Sequence, residues 1–177
     1  MGGAYNYFHY YKGYFHAGLK IVTDIINNPN PSDIDLLIYP IVFLFRHSIE
    51  LALKHLSIVV PKIWGETIDT ALTHNLITDW KKIKVFLLKE PGIFNTDNQL
   101  IDKFEKFLND FTEIDPKGEA FRYPVDKGGT RHLSDMSVIN IKNFHNIIVP
   151  IGETLDYWFS QVHKLKEYDY NIKDYIY

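Results

Sequence analysis

The sequence predicts an all-α protein, an up-and-down bundle of four or five helices. Apolar residues recur at three- and four-residue steps in five segments, which is the spacing of one helix face. Clusters of proline, glycine and asparagine separate these segments, and strand-like alternation is confined to short pieces. The length of 177 residues predicts a single helical-bundle domain over 1–177, with an ordered core at about 4–168, because one core rarely divides below about 250 residues.

The first two helices are separated by an Asn-Pro-rich segment. An aromatic, periodic stretch over 4–28 predicts the first helix, and Pro29 and Pro31 end it because proline disfavours helix in the preceding residue. Ser32 or Asp33 is the expected cap of a second helix that ends at 60, before Pro61. Proline at position 40 predicts either a start near 39 or a kink.

The rest of the chain predicts three further helices and one long loop. A third helix follows a cap at Thr73 or Asn75 and ends at 88, and a fourth runs from 97 or 98 to 114. Residues 115–136 have turn chemistry throughout, and long irregular segments in compact domains tend to be functional. The last helix is expected over 138–168, with bends at its internal proline and glycine.

Composition excludes several classes of site. The chain has no cysteine, which excludes disulfides, thiolate zinc sites and cysteine nucleophiles. A net charge of −3 argues against a strongly cationic nucleic-acid surface. The eight histidines show no ligand spacing, so neither a metal site nor a cofactor is expected.

The sequence also predicts a cytoplasmic protein that does not associate with a membrane. Its longest apolar run, Leu36–Phe45, is shorter than the roughly 20 residues that span a bilayer. The first residues lack the positive region and apolar run of a secretory signal.

One narrow stripe of the second helix is charged. At 100° per residue, Arg46, Glu50, Lys54 and Ser57 fall on one side, with His47 at the edge, while the rest of the circumference is apolar. Three interpretations are open: a solvated row of i,i+4 pairs, a buried network that orients helices, or a polar groove that binds an anionic ligand.

Three other polar residues are candidates to converge on this charged stripe. His74 begins the third helix, where a capping or packing role is the simpler interpretation. Arg122 and Tyr123 lie in the long loop; their structural role would be to anchor the loop, with Arg122 paired to Glu50 or Asp115. Arg131 and His132 follow two glycines and are expected to be exposed and mobile.

Three segments, FLFRHSIELALKHL, THNLITDWKKI and EAFRYPVD, resemble a branch of the HEPN superfamily. These are helical-bundle proteins of prokaryotic toxin–antitoxin, CRISPR and anti-phage systems. The resemblance implies a four- or five-helix bundle, often dimeric, and many members are metal-independent RNases that use an arginine followed a few residues later by a histidine. Here His47 follows Arg46 directly, so binding is expected ahead of catalysis.

Two functions from different classes follow. The first is an RNA- or nucleotide-binding protein of a defence or toxin–antitoxin system, or a degenerate RNase. Its catalytic candidates are Arg46 and His47, and its binding candidates are Glu50, Lys54, His74, Arg122 and Tyr123. The second is a non-catalytic homodimeric interaction or adaptor module for a partner protein encoded by a neighbouring gene. It is suggested by exposed-looking tyrosines, namely Tyr5, Tyr7, Tyr10, Tyr11, Tyr168, Tyr170, Tyr175 and Tyr177. For those of the first helix, core packing is the simpler explanation.

Overall fold

The computed structural model describes residues 6–66, 73–134 and 139–176, and side chains up to residue 165. Within these ranges the chain is all-helical, which confirms the predicted class, and one isolated β-bridge joins Val125 to Arg131. The helices are α1 (Tyr7–Asn27), α2 (Pro31–Ile63), α3 (Leu76–Leu87), α4 (Pro91–Phe94), α5 (Asn98–Ile114) and α6 (Ile141–Ile176). The predicted start of the last helix at 138, and Tyr5 together with the four C-terminal tyrosine side chains, lie outside the described residues.

Helix α2 is the central element, and its bounds correct the prediction. Asn30, and neither Ser32 nor Asp33, caps it, because Pro31 fits the first helical position and the Asn30 side chain accepts the Ser32 N–H. The helix continues through Pro40. Leu36 and Pro40 are both exposed, so water can reach the Leu36 carbonyl that proline leaves without its usual donor.

The C-terminal end of α2 passes Pro61, which was expected to stop it. The helix ends at Ile63, because a proline so close to the end removes a single donor while its own carbonyl still accepts. The N–H groups of Trp64 and Glu66 both donate to the Pro61 carbonyl, at 3.0 Å each. The central helix is therefore one continuous helix of 33 residues.

The other helices begin close to the predicted positions. Asn75 caps α3 by accepting from Thr78, and Asp97 caps α5 by accepting from Leu100. The short helix α4 was not predicted, because four residues carry too little periodicity to be recognised. Helix α6 continues through Pro150 and extends to Ile176, beyond the expected end.

Aromatic side chains from four helices fill the core. Trp80 and Trp158 stack with ring centroids 5.7 Å apart, and Phe104 packs against both. Tyr11 is fully buried, which agrees with core packing of the first helix; its hydroxyl donates to Asp156 at 2.8 Å. Burial and the Asp156 charge raise the pKa of Tyr11, so this hydroxyl stays protonated and remains a donor.

Helix α2 is, by length and composition, the one described helix that could cross a membrane. Its longest uninterrupted apolar run is short, but its most apolar window of 18 residues has a mean hydropathy of 1.6, and 61% of that window is buried inside the protein. Central helices of soluble bundles have the same composition, because they are covered by neighbours on most sides.

Candidate functional site

The charged stripe is buried, not solvated. Arg46 is 2% exposed and Glu50 is 3% exposed, and Lys54 and Ser57 are also buried. Glu50 lies between two cations of its own helix: Arg46 Nη1 is 3.0 Å from Oε2, and Lys54 Nζ is 2.5 Å from Oε1. The solvated interpretation is therefore wrong, and a buried network takes its place.

Arg46 joins three parts of the chain. Its Nη2 donates to the His74 carbonyl at 2.8 Å and to the Asp115 carbonyl at 3.3 Å, while its Nη1 donates to the Glu50 carboxylate. Its Nε is 3.3 Å from Asp115 Oδ2, an ion pair inside the core. One guanidinium thereby fixes the start of α3 and the start of the 115–134 loop against α2.

The carboxylate of Asp115 passes this constraint to the loop. Its Oδ1 accepts the backbone N–H groups of Glu119 at 2.8 Å and Ala120 at 3.0 Å. Gly118 has a φ of +75°, a conformation that favours glycine, and it lies directly against the Arg46 guanidinium. The turn that leads to Arg122 is therefore shaped around Arg46.

Arg122 was expected to pair with Glu50 or Asp115, and that expectation is wrong because Arg46 occupies both carboxylates. Arg122 instead donates through Nη2 to the Tyr123 hydroxyl at 3.0 Å, and its guanidinium carbon lies 5.0 Å from the Tyr123 ring centroid. The same guanidinium carbon lies 5.8 Å from the centroid of the Phe43 ring. Tyr123 is exposed, so the loop is anchored by the buried Phe121.

Arg122 is an exposed cation, and no ion pair to it is found in residues 6–66, 73–134 and 139–165. Its contacts with Tyr123 and Phe43 use one of the nitrogen atoms as a donor and leave the other donors of the guanidinium to solvent or a ligand. Among the predicted binding residues it is the cation that an anionic ligand can reach.

His74 projects from the cap of α3 with a side chain that is 72% exposed, yet its Nδ1 lies 3.0 Å from Glu50 Oε1. Burial raises the pKa of Glu50, but the hydrogen bond and charge of Lys54 and the charge of Arg46 outweigh it, so the net pKa is lowered. Because the ionised carboxylate only accepts, Nδ1 of His74 carries the proton in this contact and Nε2 is the nitrogen left for a ligand.

His47 stands beside these groups on α2. Its ring stacks on Phe43 with centroids 5.5 Å apart and meets the edge of Tyr14 at 4.7 Å. Burial lowers the pKa of His47, and the charges of Lys54, Arg46 and Arg122 lower it further against the opposing charge of Glu50. His47 is therefore neutral at pH 7.

These side chains enclose a cavity of about 240 Å³, the small cavity, lined by Phe43, Arg46, His47, Glu50, His74, Gly118 and Arg122. Lys54 forms an ion pair with Glu50 but lines neither this cavity nor its neighbour. Tyr123 lines only the neighbouring cavity. The predicted residues thus separate into one central set and two flanking positions.

The neighbouring cavity, the large cavity, has a volume of about 770 Å³ and lies between the first part of α2 and the 115–134 loop. Sequence reasoning did not find it, because Asp35 and Tyr39 on α2 look like ordinary helix-surface residues. Arg131, expected to be mobile, pairs with Val125 across a turn held by the Asp126 carboxylate, which accepts from Gly128 and Thr130 at 2.8 Å each. Arg122 lines both cavities.

Within the described residues, no group of three or more histidine or carboxylate side chains is arranged to hold a metal ion. No protein-family model, curated protein or solved structure matches this chain.

Proposed function

We propose that the small cavity binds a phosphodiester group of RNA. The observation that carries the proposal is the convergence of His47, His74 and Arg122 on one cavity, from α2, the cap of α3 and the long loop. A volume of about 240 Å³ is below the roughly 300–1,000 Å³ of pockets that enclose whole small molecules. It suits a phosphate group with part of its sugar.

Arg122 is the phosphate ligand in this proposal. Its exposed guanidinium presents the planar set of donors that recognises phosphate oxygens. Arg46, although charged, already donates to Glu50, Asp115 and the His74 carbonyl. The role of Arg46 in this proposal is to position His74 and the 115–134 loop, and it does not contact the ligand.

The two histidines give the site the groups that RNA cleavage needs. In the step we propose, the ribose 2′-oxygen attacks phosphorus while neutral His47 takes the 2′-hydroxyl proton. The P–O5′ bond breaks, and the 5′-oxygen leaves with a proton from the protonated ring of His74, oriented through Nδ1 by Glu50. The products are a 2′,3′-cyclic phosphate and a 5′-hydroxyl end, so atoms and charge balance.

The test is to titrate purified protein into fluorescent tRNA and hairpin RNA in the presence of EDTA, over a range of salt concentrations. Binding is expected to weaken as salt rises, and Arg122→Gln should reduce the slope of log K against log salt by about one. Lys142→Gln is the matched control, because Lys142 is exposed on α6 and lines neither cavity. Absence of salt-sensitive binding to every RNA overturns the proposal.

Cleavage has its own readout, the cyclic phosphate end. His74→Ala should abolish cleavage while the protein stays folded, since its side chain is mostly exposed. His16→Ala on the exposed side of α1 is the control and should cleave normally. Binding without cleavage by the unmodified protein supports the binding site and rejects the proton-transfer step.

We place this site in a HEPN-like protein of a prokaryotic defence or toxin–antitoxin system, acting in the cytoplasm. The support is the resemblance of three segments together with an all-helical fold. The neighbouring gene tests the setting: a nucleotidyltransferase favours a toxin–antitoxin pair, and a nuclease or helicase favours phage defence.

A second candidate is a homodimeric interaction module, favoured by the apolar surface at the start of α2. Leu36 is 71% exposed and Tyr39 is 51% exposed, on a segment of α2 (31–40) in which no residue is buried; exposed apolar patches mark interaction surfaces. Light scattering should then give the mass of two chains, and Leu36→Lys should reduce it to one. A strict monomer at high concentration rejects this candidate.

A further inference from the structure

We infer that the large cavity receives an unpaired base of the RNA strand whose phosphate lies in the small cavity. The inference rests on the proposed function and names its substrate class as single-stranded RNA. A volume of about 770 Å³ falls within the roughly 300–1,000 Å³ of pockets that bind small molecules and cofactors. The large cavity therefore has room for a base together with its sugar, which the small cavity does not.

Arg122 sets the relation between the two cavities. Its side chain lines both, and its guanidinium is held over Tyr123 at 5.0 Å by a hydrogen bond to the tyrosine hydroxyl. A phosphate bound by Arg122 therefore lies at the boundary of the two cavities, and the sugar and base attached to it need adjacent space. The large cavity is the space on that side.

The walls of the large cavity suit a base. Tyr39 on α2 is 51% exposed and offers an aromatic face. Tyr123 in the loop is equally exposed, and Arg122 lies over its ring. Nucleobases stack on such faces with little dependence on sequence. In a duplex both faces of a base are covered by neighbouring pairs, so an unpaired base is the one that can enter.

Polar groups in the same cavity predict a base preference. Asp35 lines it and presents a carboxylate, which accepts from the exocyclic amino groups of adenine, cytosine and guanine. Uracil carries carbonyl oxygens at the corresponding positions, and its only donor on that edge is the ring N3–H. Arg131, also in the wall, donates to carbonyl and ring-nitrogen acceptors. Uridine is expected to bind most weakly.

The test measures binding of 2′-O-methyl strands about twelve nucleotides long, a common site length, which cannot be cleaved through the 2′-oxygen. Adenine and cytosine strands are compared with a uracil strand, an abasic strand and a duplex by fluorescence anisotropy. The adenine strand should bind about tenfold more tightly than the abasic strand or the duplex. The uracil strand should bind more weakly than the cytosine strand.

Two matched variants assign the base effect to the large cavity. Tyr39→Ala should lower binding of the adenine strand to that of the abasic strand. Tyr10→Ala should leave it unchanged, because Tyr10 is an equally exposed tyrosine, 53% against 51%, that lines neither cavity.

The outcomes separate this inference from the proposed function. Equal, salt-sensitive binding of abasic and adenine strands overturns the base site and leaves the phosphate site intact. Tight duplex binding, or an unchanged Tyr39→Ala variant, also overturns it. No salt-sensitive binding of any strand overturns the proposed function itself.

Discussion

Gly118 approaches the guanidinium of Arg46 so closely that a Cβ atom at residue 118 would lie 3.1 Å from Nη1. The glycine also has a left-handed backbone, with φ at +75°. Since the same arginine is bound to Asp115, the start of α3 and Glu50, this contact ties loop shape to the charged stripe.

We predict that Gly118→Ala destabilises the fold by more than Gly129→Ala. Both positions have positive φ, which costs a non-glycine residue roughly 1–2 kcal/mol. A Cβ atom at residue 129, unlike one at residue 118, would have open space within 4 Å. The difference between their free energies of unfolding, from urea titration, isolates the crowding of Arg46. Equal losses would contradict the contact described here.

A second prediction concerns the buried ion pair. Asp115→Asn leaves the charge of Arg46 without one of its two carboxylates, and removing one partner of a buried pair costs about 3–5 kcal/mol. A double-mutant cycle with Arg46→Met, in which urea unfolding gives the free energy of each variant, should show coupling. The reason is the 3.3 Å contact between Arg46 Nε and Asp115 Oδ2. Additive losses would mean that the pair contributes nothing of its own.

Acid stability should depend on Lys54. The folded-state pKa of Glu50 is lowered, so its contribution is present above the unfolded pKa, ordinarily 4.5, and is lost as pH falls through the folded value. Lys54→Met removes a cause of this lowering and should move acid unfolding, followed by circular dichroism, to higher pH. Lys106→Met is the control, because Lys106 forms the same i,i+4 pair with Asp110 on the exposed surface; an equal shift there would contradict the argument.

His47 should titrate below 6.5, its ordinary pKa. Because the folded value is lowered, its contribution to stability is present above pH 6.5 and is lost as pH falls from there to the folded pKa. Arg122→Gln removes one of the charges that lower it, so the NMR midpoint of the His47 ring should rise toward 6.5. A midpoint at or above 6.5 in the unmodified protein would disagree with its burial.

Alanine substitutions at two helical glycines should change the stability of the fold in opposite directions. A Cβ at Gly152 would lie 2.2 Å from the Phe15 ring, and overpacking a core of this kind costs about 1–3 kcal/mol. Gly13 has open space around it, so Gly13→Ala should gain roughly 0.5–1 kcal/mol through helix propensity. Thermal unfolding of the two variants checks both signs, and a stabilised Gly152→Ala would refute the close packing of α1 and α6.

The sequence by itself determined the helical class, the approximate extent of most helices and the charged side of α2. These follow from local rules: apolar spacing, capping side chains and the angular step of a helix. At Pro40 these rules left a late start or a kink open, and the helix continues through that exposed proline. They failed at Pro61, because a proline so near the helix end does not stop the helix.

Only the tertiary structure decided what the charged stripe does. Whether Glu50 is solvated or buried, and whether Asp115 pairs with Arg46 or Arg122, depends on which loop packs on α2. Arg46 and Arg122, from distant segments, are both possible partners of the same carboxylates. Burial and the turn geometry at Gly118 decide that Arg46 forms the pair, and spacing along the chain does not. The large cavity likewise exists because a loop and a helix face each other, a relation that no local pattern encodes.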